Sequence, residues 1–369
     1  MNRISIRQKM AALTAAVCMI TTFAGCGGFS DSSSAGKAEN SSSVTADSVE
    51  VVTLPPKDED SKPEETASSD ESGTESAPAD DKFDTSDVPY TPAMWKVTSP
   101  SGNTMYMMGS MHALKEECVP LPDYVTERFG ESEVLAVECD ISDSTKNSAA
   151  ALAVMNKITY PNGETIGEHL GEDLWEEVAS YIEAYGGDPE SLKSSQAWYI
   201  YSLLESMSLD SLGLDSTIGF DMQLLNMAKE QGKEIFEVES AEMQMDMLSG
   251  FDEKLIKAAI KGYSAENKDL IEEKLIEMYT AWKSGDTDSV STEEGFDEEL
   301  YTEEDKANIA EFNRILVTDR NVGMADKAME LLDSGKTVFY VVGLAHYLGD
   351  GGIIKLLEAE GCTVERVEV

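Results

Sequence analysis

Histidine occurs three times and cysteine five times in 369 residues, and 28 Lys and Arg stand against 71 Asp and Glu, a formal net charge of -43. So few His and Cys exclude zinc-finger arrays and disulfide-dense scaffolds. The shortage of Lys and Arg excludes nucleic acid as a partner, because phosphate binding draws its affinity from clustered basic side chains. Also missing are the Gly-x-Ser-x-Gly elbow, the His-Glu-x-x-His helix and the Gly-x-Gly-x-x-Gly loop, which removes the common serine hydrolases, zincin proteases and dinucleotide enzymes. Any metal or acid-base site must be assembled from very few residues.

The chain opens with Arg3, Arg7 and Lys9, then an apolar stretch from Met10 to Phe23, then Ala24, Gly25 and Cys26. That stretch is shorter than the roughly 20 residues a membrane-spanning helix needs, and small residues close it, so residues 1–26 read as an export signal. Phe23-Ala24-Gly25-Cys26 resembles the bacterial lipobox, which makes Cys26 the expected lipidation site and first mature residue. A diacylglyceryl group supplies two chains, enough for stable anchoring on the extracytoplasmic side of the cell membrane. Residues 27–88 are Ser-rich and carry four Lys against sixteen Asp and Glu. They cannot bury a core and are expected to form a disordered acidic tether.

From residue 89 onward, short apolar runs alternate with helical periodicity. Met94 to Thr98 and Thr104 to Met108 flank turn residues and predict a hairpin. Val134 to Val137 is short enough for a buried strand and ends in Glu138; residues 233–239 form another strand ending in acid, at Glu239. Residues 144–232 are mainly helical in pattern, 251–282 suggest one or two long helices, and 302–332 a pair broken near Thr318. Thr337 to Val342, residues 351–360 and residues 363–369 read as strand, helix and closing strand. The fold class is α/β, with a mixed central β-sheet flanked by helices and a large helical insertion. Cys118, Cys139 and Cys362 are an odd set that fixes no pairing.

One local pattern recurs. Tyr106 to His112 and Tyr340 to His346 each run from a strand through Gly-x-x-His, at Gly109-His112 and Gly343-His346. The glycine permits an unusual backbone angle at the sheet edge, and the histidine three positions on can face a cleft. A lone histidine is more often a satisfied core residue, but duplication after two strands reverses that preference. Adjacent strands would converge the two imidazoles, and with Glu138 they make a usable site for zinc, manganese or iron, with Asp221 and Glu239 as reserve carboxylates. Such a metal polarises a carbonyl and yields hydroxide near neutral pH. Arg320 suits either an oxyanion or a surface ion pair. His169 reads as structural.

These residues carry a resemblance. Trp95-Lys96-Val97, Tyr106 to His112, Val134 to Glu138, Gly219-Phe220-Asp221, the segment from Glu239 to Gln244, Arg320-Asn321 and Tyr340 to Gly352 are similar to the TraB/GumN family, related to the Tiki metalloproteases. The match runs from Trp95 to Val369, essentially the whole of the body expected over residues 89–369. It implies a mixed sheet flanked by helices, with His112, Glu138 and His346 as the metal or catalytic set and Asp221, Glu239, Arg320 and Asn321 supporting them. Ser110 departs from the Thr of many relatives. Tiki proteins are metal-dependent peptidases that trim signalling proteins, and TraB members are associated with shutting down peptide pheromones. The signal and tether lie outside the resemblance; joined to the anchor expected at Cys26, it implies a lipid-anchored hydrolase using Mn, Co or Zn on a peptide or protein substrate. Rival readings are a non-catalytic lipoprotein sequestering a peptide or haem-like ligand, and metal-free acid-base hydrolysis as in the similar erythromycin-esterase fold.

Overall fold

A computed structural model describes residues 83–290 and 300–369. The expected signal, Cys26 and most of the expected tether lie outside these residues. Six strands form one sheet: β1 (Met94–Thr98), β2 (Thr104–Ser110), β3 (Val134–Val137), β4 (Glu234–Glu237), β5 (Val338–Gly343) and β6 (Thr363–Arg366). Their order is β4-β3-β5-β2-β1-β6. β1 is antiparallel to β2 and β6, whereas β2, β5, β3 and β4 run parallel. The sheet is therefore mixed, as the sequence suggests.

The hairpin is set by the turn at 99–103. Gly102, at φ 92°, donates its N–H to the Ser99 carbonyl, and Ser99 donates to the Asn103 carbonyl at 2.8 Å, which fixes Met94 opposite Met108 and Thr98 opposite Thr104. β3 and β5 are buried along their whole length, as parallel strands covered on both faces must be. Continuous apolar runs, rather than alternation, are the sequence sign of that position.

Helices supply the cover. α1 (Asp123–Gly130) links β2 to β3; α2 (Ser144–Val154), α3 (Ile166–Leu170), α4 (Glu172–Ala184), α5 (Ala197–Ser211) and α6 (Phe220–Gln231) lie between β3 and β4. α7 (Ala241–Ser249), α8 (Glu253–Ala259), α9 (Lys268–Ser284), α10 (Glu303–Asn313) and α11 (Asp319–Asp333) precede β5, and α12 (Ile353–Ala359) follows it. Several starts are legible as caps: Asp143 accepts from the N–H of Thr145 and Lys146, and Thr165 with Glu168 and Thr302 with Asp305 form capping boxes. The break expected near Thr318 is a π-helical segment, Arg314–Thr318, that joins α10 to α11 without interrupting the rod.

Residues 83–88, placed by composition in the tether, are docked on the body. Phe83 is buried edge-on to Tyr279, with ring centroids 5.1 Å apart, and the buried Lys283 ammonium donates to the Thr85 carbonyl at 2.8 Å. Cys118, Cys139 and Cys362 are all buried and free.

Candidate functional site

β2, β3 and β5 run parallel, so their carboxyl ends, Gly109-Ser110, Val137-Glu138 and Gly343, lie along one edge of the sheet. In open parallel sheets ligands bind outside that edge. β2 and β5 are direct neighbours, which brings the two Gly-x-x-His elements together as the duplication predicts.

The glycines act by closeness rather than by angle. Gly343 has φ -53°, and neither it nor Gly109 belongs to the positive-φ glycines. The expectation of an unusual backbone angle at these two positions is therefore corrected. A Cβ on Gly109 would lie 2.9 Å from the Leu344 Cα, so only glycine lets the end of β2 sit against the turn after β5. Gly219 does the same for His112: a Cβ there would lie 2.1 Å from the His112 carbonyl oxygen. The Phe220 N–H donates to the Met111 carbonyl at 3.0 Å, and the first turn of α6 is thereby locked beside the histidine.

That contact puts Asp221 where it is needed. The His112 Nδ1–H donates to Asp221 Oδ2 at 2.6 Å. On the other element, the Asn321 amide donates through Nδ2 to the Gly351 carbonyl at 2.8 Å, which turns its Oδ1 toward His346. The His346 Nδ1–H donates to that oxygen at 2.6 Å. Both rings are thus held through Nδ1, and each neutral imidazole presents an Nε2 lone pair. His346 Nε2 lies 3.7 Å from Glu138 Oε1, too far for a direct hydrogen bond. A lone pair facing a carboxylate is an electrostatic mismatch that a bridging cation or proton relieves.

Glu138 is the hub. Its Oε1 accepts the Gly343 N–H at 2.6 Å; its Oε2 accepts from Gln244 Nε2 and from Arg320 Nη2, each at 3.0 Å. Arg320 also grips Glu239 through Nε, at 2.8 Å, and through Nη2, and returns Nη1 to the Leu316 carbonyl of the π segment at 3.0 Å. Gln244 bridges Glu239 at 3.0 Å as well. Burial disfavours a charged Glu138, but the Arg320 guanidinium outweighs it and holds the carboxyl well below the usual range. Burial and the neighbouring Arg320 lower His346 to about 3, so it is neutral under ordinary conditions. For His112, burial works against the proton, yet the charge and hydrogen bond of Asp221 raise it.

The site thus gathers Glu138, Glu239 and Asp221 around one guanidinium and two imidazoles, all buried or nearly so. Its formal charge is short of positive compensation. Among the described residues no group of three or more His, Cys, Asp or Glu is spaced as a ready-made metal cluster.

Every site residue that the sequence designates meets here except Cys26, which lies outside the described residues; His169, expected to be structural, stands apart. That ring bonds Glu253 at 2.9 Å and Glu164 at 3.0 Å and stacks on Tyr160. Arg320 is a buried clamp on two carboxylates, not a surface ion pair. Gln244 is the functional residue that the sequence reading gave no role. Its helix, α7, was hidden in the cluster Met243, Met245 and Met247; the signal was Ser240, which caps the helix by accepting the Met243 N–H.

The model of the TraB/PrgY/gumN family matches residues 93–366. The chain belongs to the TraB/PrgY/gumN family. "Uncharacterized protein YbaP" of Escherichia coli (strain K12) is 24% identical over 270 residues, covering 73% of this chain and 93% of that protein. The protein of the same name from Shigella flexneri is also 24% identical over 270 residues. No solved structure matches this member of the family.

Proposed function

We propose that this TraB/PrgY/gumN protein is a lipid-anchored, extracytoplasmic, metal-dependent hydrolase that cleaves peptides or signalling proteins. The observation that carries the reading is the pair of imidazoles fixed through Nδ1 beside one ionised carboxylate. The donor set fits a divalent ion such as Mn, Co or Zn: two Nε2 lone pairs, a Glu138 oxygen, and orienting partners behind each ring. His112, Glu138 and His346 would hold it, and when bound it supplies Lewis-acid polarisation of a carbonyl and a more acidic water.

The chain's own groups do the remainder. Asp221 and Asn321 hold the rings in one orientation, so that nothing has to reorganise when a substrate arrives. Arg320 and Gln244 keep Glu138 ionised and fixed, and Glu239 balances the guanidinium. Burial of His346, 1% exposed, excludes bulk water from its side of the site.

The purified protein incubated with a peptide library and each divalent metal tests the reading. Cleavage that disappears in His112→Ala and His346→Ala and in chelator is the expected result. No cleavage under any metal, or cleavage undiminished in both variants, contradicts it. Stoichiometric ligand capture without product would instead favour a sequestering lipoprotein, and cleavage that survives chelation would favour acid-base hydrolysis by His and Glu alone.

A further inference from the structure

Away from the site, helix α5 carries an unusual buried group. Glu205 is buried in the helical cover, where Tyr263 donates its hydroxyl to Oε1. Among the described residues its Oε2 has no hydrogen-bond partner, and neither has the hydroxyl of Tyr201, one helical turn back on the same face. The groups facing Glu205 are the phenols of Tyr263, Tyr201 and Tyr181. A carboxylate with one bonded oxygen and one bare one is costly to bury, whereas the protonated acid is not. Burial pushes the group up to about 7, against the opposing bond from Tyr263.

The start of the same helix leads to a second proton site. The Ala197 N–H donates to the Tyr160 hydroxyl at 3.2 Å, and the Tyr160 ring stacks on His169 at 3.7 Å with planes 7° apart. Each nitrogen of His169 faces a carboxylate, Glu253 of α8 on Nδ1 and Glu164 on Nε2. Both contacts can be hydrogen bonds only if both nitrogens carry protons. Partial burial opposes the charge, but the two carboxylates raise the imidazole above its ordinary value. The other charged groups nearby are Glu168, which caps α3, and Lys257 of α8, whose Nζ approaches Gly171.

We propose that the cover built around Ala197–Ser211 is a proton-operated element: it takes up one proton at Glu205 and one at His169 and tightens in mild acid, then releases both and loosens as the medium becomes alkaline. Because α5 packs against α7, the helix that carries Gln244, the state of the cover bears on the site.

The sign is the same for both groups. A raised folded value means that the stabilising proton is present below the unfolded value and lost as pH rises through the folded one. For Glu205 the window runs from 4.5 to about 7; for His169 it opens at 6.5. Urea unfolding of the intact protein from pH 5 to 8 reads it out, with Glu205→Gln and His169→Gln each compared with the unaltered chain. The folded-to-unfolded ratio of Glu205→Gln, relative to the unaltered chain, should rise on the order of 100-fold between pH 5 and 8. That of His169→Gln should be reduced at pH 5 and recover toward pH 8. A flat relative ratio for either variant overturns the proposal. Amide exchange in the unaltered protein is a second readout: protection across residues 197–211, corrected for intrinsic rates, should fall from pH 5 to 8, and unchanged protection also overturns it.

Discussion

The two imidazoles are alike in sequence and different in chemistry. His112 leans on a carboxylate, Asp221, and His346 on an amide, Asn321, at the same 2.6 Å. Asp221 favours the proton on His112 against burial, whereas burial and the nearby Arg320 refuse it on His346. Gly219 is the residue on which the first ring depends. Gly219→Ala would drive a methyl into the His112 carbonyl and should cost about 3 kcal/mol or more, read as a shift in the urea midpoint. Wild-type stability in that variant would show that the contact does not matter. Arg320→Leu removes the one cation between Glu138 and Glu239 and should destabilise by roughly 3–5 kcal/mol at neutral pH. The loss should shrink as pH falls, because the stranded carboxylates then protonate. A loss that is constant from pH 4 to 8 would contradict the clamp.

At the scale of elements, the strands were legible because their burial leaves an unambiguous trace: Val134 to Val137 and Val338 to Val342 are too apolar and too short for surface helices. The hairpin was legible through its turn residues. The helix α7 was not, because its apolar positions are methionines that fit many environments and its one buried polar residue, Gln244, has no chemistry of its own until Glu138 and Glu239 stand beside it. The π segment also escaped the sequence. A wide turn and a break produce the same interruption in period; the Asp319 N–H, which donates to the Arg314 carbonyl five residues back, marks the wide turn. Deleting Val317 would turn the rod by about 100° and carry Arg320 away from its carboxylates. The deletion should therefore lose stability on the scale of Arg320→Leu; an unperturbed unfolding curve would show that the π segment does not aim the guanidinium.

At the scale of the whole molecule, composition misses the edge of the body. Phe83 and Thr85 lie among acidic and small residues, and nothing in that local sequence reveals that Tyr279 and Lys283, nearly 200 positions away, receive them. The site is the reverse case, since two short repeated elements 234 positions apart announce a meeting that a pair of parallel neighbouring strands then enforces. The proposed chemistry depends on each ring being held through Nδ1 by its partner, which leaves Nε2 of His346 toward Glu138. With three histidines in the chain, long-range proton–nitrogen NMR resolves each ring. His346 should remain a neutral Nδ1–H tautomer from pH 8 down to pH 5, while His112 titrates above 6.5. An Nε2–H tautomer at His346, or ordinary titration of that ring near 6.5, would contradict the account.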